Sequence, residues 1–120
     1  MNNIESNLLE YQIQHYKNIV RILNNNNACL DASDTGTGKT YTAIAACKNL
    51  NLIPFIICPK SVISTWNKVC DIFKIVPYAI VNYELLKAGK IYDKKYKKIV
   101  CDNLKITVNN EKINYEWNIN

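Results

Sequence analysis

The residues best suited to chemistry lie between Ser33 and Thr40, where two glycines are followed by a lysine and a threonine. Gly36 and Gly38 allow main-chain N–H groups to approach an anion closely. The Lys39 ammonium group suits the β- and γ-phosphates of a nucleotide, and the Thr40 hydroxyl suits Mg²⁺. We therefore predict that this segment binds ATP or ADP with Mg²⁺, and that Thr40 is a metal ligand. The candidate nucleotide-binding residues here are Ser33, Asp34, Thr35, Gly36, Thr37, Gly38, Lys39 and Thr40.

This segment follows the phosphate-binding pattern GxxxxGK[ST] except that Ser33 replaces the first glycine. Its context supports the assignment, because a strand must precede such a loop and a helix must follow it. The apolar run Ala28–Ala32 is predicted to be the strand. Alanines and an apolar stripe in Lys39–Leu50 predict the helix, whose N-terminus would point at the phosphates. The alternative, a chance glycine-rich turn, lacks these flanking elements.

Further elements alternate along the chain. Apolar residues at spacings of three and four predict a helix over Ile4–Leu23, broken near Tyr11 and ended by the four asparagines Asn24–Asn27. Alternating strands and helices predict an α/β domain. The other predicted elements are strands at Leu52–Cys58, Ile75–Val81 and Ile99–Cys101, helices at Ser61–Phe73 and Glu84–Ala88, and a hairpin joining Lys105–Val108 to Lys112–Trp117.

The bulk composition limits the class of protein. At 120 residues, with 48% hydrophobic and 21% charged residues, the chain is one ordinary folded domain at most. Its five cysteines are widely spaced and its start lacks a signal-peptide pattern, so we expect a reducing intracellular compartment and no membrane association. The net charge of +5 permits contact with a polyanion, although a solvated lysine face would give the same number.

The form of the loop resembles motif I of superfamily 2 helicases, of the Swi/Snf-like or DExH type. Upstream, Leu9-Glu10-Tyr11-Gln12 before an amphipathic helix is similar to the glutamine motif of these enzymes. The resemblance implies that Gln12 reads adenine, since an amide can pair with N6 and N7 of that base. A surface glutamine at a helix start is the alternative.

Two later stretches point the same way. The segment from Ile56 to Trp66 resembles motif Ia, which implies that Lys60 and Ser61 contact a nucleic-acid backbone. The segment from Val81 to Leu86 resembles the motif Ib region and implies the same role for Asn82 and Tyr83, although an ordinary helix start would look alike. DNA and RNA are equally open.

Taken together, these motifs imply the amino-terminal portion of a RecA-like domain, a partial P-loop NTPase with a mainly parallel sheet flanked by helices. We expect one domain over residues 1–120: a glutamine-motif region (1–27), a P-loop and motif Ia/Ib region (28–101), and a hairpin (102–120). Heavy use of asparagine, isoleucine and lysine adds a similarity to helicases of large DNA viruses.

The 120 residues contain no Asp-Glu pair of the kind that holds Mg²⁺ and orients water in this family. We therefore expect nucleotide binding without hydrolysis by this stretch alone. The alternative is a stand-alone, non-catalytic module derived from a helicase that binds nucleotide, nucleic acid or a partner protein. Because central strands of the family sheet would be absent, three arrangements are open: direct strand pairing, gap filling by the Lys105–Trp117 segment, or association of two copies, which we favour.

Overall fold

The computed structural model describes residues 4–32 and 38–118. Helices and short strands alternate through them, which confirms the mixed α/β class. Turns of 3₁₀ helix lie at Glu5–Asn7 and Lys60–Val62. The helices are α1 (Glu10–Asn26), α2 (Lys39–Asn49), α3 (Ile63–Ile72) and α4 (Tyr83–Lys87), and the strands are β1 (Phe55–Ile57), β2 (Ala79–Val81), β3 (Lys90–Tyr92), β4 (Lys98–Val100), β5 (Leu104–Asn109) and β6 (Lys112–Trp117).

The chain forms two compact units. The first comprises Met1–Phe55 and Ser64–Tyr78, and the second comprises Ile56–Ile63 and Ala79–Asn120. Both units draw on segments that are distant in sequence. The single domain over residues 1–120 and its three regions therefore stay a prediction.

In the first unit, α1 packs against α2 through the apolar stripe that the sequence predicts. Tyr16 and Ile19 of α1 and Ile44 of α2 are buried, and each such side chain contributes roughly 1.5–3 kcal/mol. Helix α1 extends to Asn26, and Asn27 ends it with a left-handed φ of 57°. The break predicted near Tyr11 falls slightly earlier, between the 3₁₀ turn and α1.

The sheets correct the expectation of a mainly parallel sheet. Strands β1 and β2 pair in parallel, as two hydrogen bonds show. Tyr78 N–H donates to Pro54 C=O at 2.9 Å near the start of both strands, and Cys58 N–H donates to Val81 C=O at 3.0 Å near their end. The other two sheets, β3 with β4 and β5 with β6, are antiparallel hairpins. The hairpin predicted between residues 105 and 117 is confirmed, and it pairs with itself and does not join β1 and β2.

The predicted strand at Ala28–Ala32 is wrong, since none of these residues is in a strand. A strand forms only where its backbone pairs with a neighbouring strand, and residues 28–32 belong to none of the described sheets. The two central strands are also shorter than predicted. Proline has no N–H to donate, so β1 begins directly after Pro54 and β2 begins two residues after Pro77. Direct pairing of the Ala28–Ala32 segment with β1 is therefore not observed.

The cysteines behave mainly as small apolar side chains. All five are free thiols, and Cys58, Cys70 and Cys101 are buried. Burial raises the pKa of the Cys70 thiol to about 11, with smaller contributions from Cys47 and Asp71. Among the described residues, no helix has both the length and the apolar character needed to cross a membrane.

Candidate nucleotide-binding site

The start of α2 presents the last three residues of the predicted phosphate-binding loop. Gly38 adopts a left-handed conformation (φ 79°, ψ 38°), and its carbonyl accepts a hydrogen bond from Thr42 N–H at 3.2 Å. Lys39 and Thr40 follow at once as the first two helical residues, and both are half-buried. Both therefore lie where the helix dipole and unpaired N–H groups favour an anion. The predicted site residues Ser33, Asp34, Thr35, Gly36 and Thr37 lie outside the described residues.

Thr42 secures this first turn, although the sequence motifs do not single it out. Its side chain is only 1% exposed, and its hydroxyl donates to the carbonyl oxygen of Lys39 at 3.0 Å. The hydroxyl of a buried threonine needs such a partner. The bond fixes the backbone of Lys39, the residue whose ammonium group we assign to the phosphates.

Gln12, the predicted adenine reader, lies beside Gly38. It is buried, at 5% exposure, and its Oε1 accepts a hydrogen bond from Leu9 N–H at 2.8 Å across the start of α1. A Cβ on residue 38 would overlap its Nε2. Gln12 is therefore not a surface residue, which contradicts that part of the alternative interpretation. The amide caps α1 and borders Gly38, and its role as adenine reader stays a prediction.

A contact that sequence spacing did not indicate lies nearby. His15 Nε2 of α1 is 3.0 Å from Asp31 Oδ1. This nitrogen is buried and makes no hydrogen bond in the described structure, so the Asp31 carboxylate is the polar group beside it. It ties the segment that precedes the predicted loop to the helix that carries Gln12.

Thr40 is the predicted Mg²⁺ ligand. Within residues 4–32 and 38–118, no group of three or more histidine, cysteine, aspartate or glutamate side chains could hold a metal ion. When Mg²⁺ arrives with the nucleotide, Thr40 is the described residue that would contact it, and the phosphate oxygens would supply other ligands.

The predicted nucleic-acid-binding residues follow the two parallel strands. Lys60 and Ser61 come after β1, in an exposed 3₁₀ turn and not in the α-helix expected there. Asn82 and Tyr83 come directly after β2. Because the carboxyl ends of parallel strands share one edge, both pairs lie at the same edge of this small sheet.

Asn82 and Tyr83 differ in what they offer to a ligand. Tyr83 is 66% exposed, whereas Asn82 is buried. The Asn82 amide donates to Glu84 Oε2 at 3.0 Å, and its oxygen accepts from the Tyr92 hydroxyl at 3.2 Å. The hydrogen bond from Asn82, together with one from the backbone, lowers the pKa of Glu84. Tyr83 is therefore the more accessible of the two, and Asn82 joins α4 to β3.

Comparison with known proteins defines the class. The profile of the family described as "Type III restriction enzyme, res subunit" matches residues 5–116. The chain belongs to this family, which implies a RecA-like P-loop fold.

A protein of Acanthamoeba polyphaga mimivirus, described as "Putative ATP-dependent RNA helicase L364", is 45% identical to the chain over 91 residues. That match covers 76% of this chain and 17% of the mimivirus protein, so the chain spans about a sixth of that relative. The family and this relative confirm the resemblance to superfamily 2 helicases and to those of large DNA viruses. No solved structure shows significant similarity to the chain.

Proposed function

We propose that these residues form the nucleotide-binding portion of an ATP-dependent superfamily 2 helicase or translocase. The observation that carries the proposal is the junction of Gly38, Lys39 and Thr40 with Gln12. A left-handed glycine leads into a helix whose first residues are a lysine and a threonine, and a buried amide borders it. This arrangement supplies a full positive charge, a helix N-terminus and a base-recognition group in one place.

The nucleotide is proposed to be ATP or ADP, bound with Mg²⁺ through residues 33–40. Binding should be weak and hydrolysis absent in the 120 residues alone, because they contain no Asp-Glu pair to complete the metal site.

The nucleotide proposal is tested by thermal unfolding with millimolar Mg²⁺-ATP or Mg²⁺-ADP. Ligand that binds only the folded state adds about 1.4 kcal/mol of stability at ten times its Kd. Lys39→Ala should abolish this gain. Lys68→Ala, which removes an exposed lysine from α3, is the matched control and should retain it. Equal shifts in the wild type and in Lys39→Ala would show that the start of α2 is not the site.

The substrate is proposed to be RNA, because the mimivirus relative is described as an RNA helicase and is 45% identical over the matched stretch. Lys60, Ser61, Asn82 and Tyr83, at one edge of the parallel strands, are the proposed contacts to its backbone. We place the protein inside the cell, in keeping with its five free thiols.

Self-association of two copies is also part of the proposal. Residues 28–32 form no strand and include the exposed Leu30 side chain, so Leu30 could pack against a second copy. Sedimentation at micromolar concentration tests the idea, with Leu30→Asp expected to shift the mass towards the monomer. A wild-type chain that sediments as a monomer at every concentration contradicts it.

A further inference from the structure

The net charge of the chain is concentrated in one short segment. Between Lys87 and Lys98 there are six lysines and one aspartate, which leaves nine basic and nine acidic residues in the remainder of the chain. The whole excess of +5 therefore belongs to these twelve residues. This concentration produces a local positive potential that would attract a polyanion.

The segment is a hairpin with an ordered turn. Strands β3 and β4 pair in the register Lys90 with Val100, Ile91 with Ile99, and Tyr92 with Lys98. At the turn, Asp93 Oδ1 accepts hydrogen bonds from the N–H groups of Lys95 and Lys97 at 2.8 and 2.9 Å. The aspartate therefore shapes the backbone, and in the part of the chain described here the lysine ammonium groups of the turn form no ion pairs. We name residues 93–98 the lysine turn.

The turn presents its side chains to solvent. Lys94, Lys95, Lys97 and Lys98 are exposed, and Tyr96 between them is 64% exposed. Tyr96 has a left-handed φ of 59°, at a turn position where glycine is the usual choice. A tyrosine at this position therefore carries a cost in backbone strain.

The hairpin is attached to the edge that carries Asn82 and Tyr83. Residues paired across an antiparallel hairpin share a face, so Lys90, Tyr92 and Lys98 lie on one face and Ile91 and Ile99 on the other. Ile91 is buried, whereas the Tyr92 hydroxyl donates to Asn82 Oδ1 at 3.2 Å. The face that carries Lys90 and Lys98 is therefore the face whose Tyr92 side chain contacts Asn82.

We propose that the lysine turn binds single-stranded nucleic acid, with its four lysines on successive phosphates and Tyr96 stacked on an unpaired base. This proposal rests on the proposed function and adds a contact surface to it. A positively charged track with an aromatic ring suits a single strand, because every base offers a face for stacking. An acidic membrane surface is the other polyanion that such lysines could contact, and Ile99 and Val100 beside the turn are also exposed, so vesicles are included in the test.

The test uses the 120-residue chain and a fluorescent single-stranded polyuridine of about 20 nucleotides, without ATP. Affinity is measured by anisotropy between about 50 and 200 mM salt. A variant with Lys94→Gln, Lys95→Gln, Lys97→Gln and Lys98→Gln should bind at least about tenfold more weakly. Its log–log salt slope should be smaller by between about 2 and 3, since each phosphate contact contributes about 0.7.

The matched control removes four other exposed lysines, through Lys68→Gln, Lys74→Gln, Lys105→Gln and Lys112→Gln, and therefore has the same net charge. This control variant should keep most of the affinity for polyuridine. Tyr96→Phe should bind like the wild type, whereas Tyr96→Ala should lose about fivefold or more in affinity. Equal loss in both quadruple variants overturns the proposal. Binding of the turn to phosphatidylserine vesicles but not to RNA would overturn it as well. All of these measurements are made without nucleotide. If the thermal-unfolding test shows that Lys39 does not bind nucleotide, the result for the lysine turn is therefore unaffected.

Discussion

The side-chain amide of Gln12 lies directly against Gly38, on the side where any other residue would carry a Cβ. The two residues come from different helical segments, the start of α1 and the residue before α2. Gly38 is therefore required twice, once for its left-handed φ of 79° and once for the space that Gln12 fills. The proposed nucleotide recognition and the packing of α1 against α2 meet at this contact.

Gly38→Ala should destabilise the first unit by about 2 kcal/mol or more. Left-handed backbone costs a non-glycine residue about 1 kcal/mol, and the added methyl group displaces the Gln12 amide from Leu9 N–H, which costs about 1 kcal/mol more. Urea unfolding gives the value. In a Gln12→Ala background the same change should cost only the backbone part. An equal cost in both backgrounds would show that the two side chains do not interact.

Gln12→Glu separates capping from base recognition. The carboxylate can still accept the hydrogen bond from Leu9 N–H, so stability should change by less than about 1 kcal/mol. It lacks the amide N–H₂ that a bidentate contact to adenine requires, so the preference for ATP over GTP should fall about tenfold. Competition binding against both nucleotides measures this. If the preference survives, Gln12 is a helix cap and does not read the base.

The buried Cys70 thiol makes stability depend on alkaline pH. Burial raises its pKa to about 11, so the folded state favours the protonated thiol. The associated stability is present below the ordinary thiol pKa of about 9.0 and is lost as pH rises through 11. Over that range the free energy of unfolding should fall by up to about 2 kcal/mol more in the wild type than in Cys70→Ala. Parallel curves for both proteins between pH 8 and 11 would contradict this.

Local signals predicted the elements whose stability is local. The apolar stripe of α1, the alanines of α2 and the two asparagines near the β5–β6 turn each specify short-range structure, and these elements are confirmed. Residues Asn110 and Glu111 both take positive φ at that turn, as two-residue hairpins require. Of the β3–β4 hairpin, the sequence predicted a strand near β4 but not β3. Ile91 is the sole buried residue of β3, and a single apolar position shows no alternation.

Contacts between distant segments were harder to predict. Ala28–Ala32 has the composition of a strand, yet pairing with a neighbour decides whether a strand forms, and composition does not reveal the neighbour. The contact of His15 with Asp31 and the packing of Gln12 on Gly38 depend on how α1 lies against α2. For Gln12 only the family resemblance indicated a role, and for His15 nothing in the spacing did.

Tyr96→Gly should uncouple stability from nucleic-acid binding. Glycine adopts the left-handed φ of 59° without strain, so the free energy of unfolding should rise by about 0.5–1 kcal/mol, in spite of the lost side-chain contacts. The same change removes the ring that we propose stacks on a base, so affinity for single-stranded polyuridine should fall about fivefold or more. Tyr96→Phe keeps both the strain and the ring and should match the wild type in both measurements.

Urea unfolding and anisotropy on the same preparations give the two quantities. If glycine leaves the affinity unchanged, the ring does not contact the nucleic acid, and if it lowers stability, the side-chain contacts of Tyr96 outweigh the backbone strain.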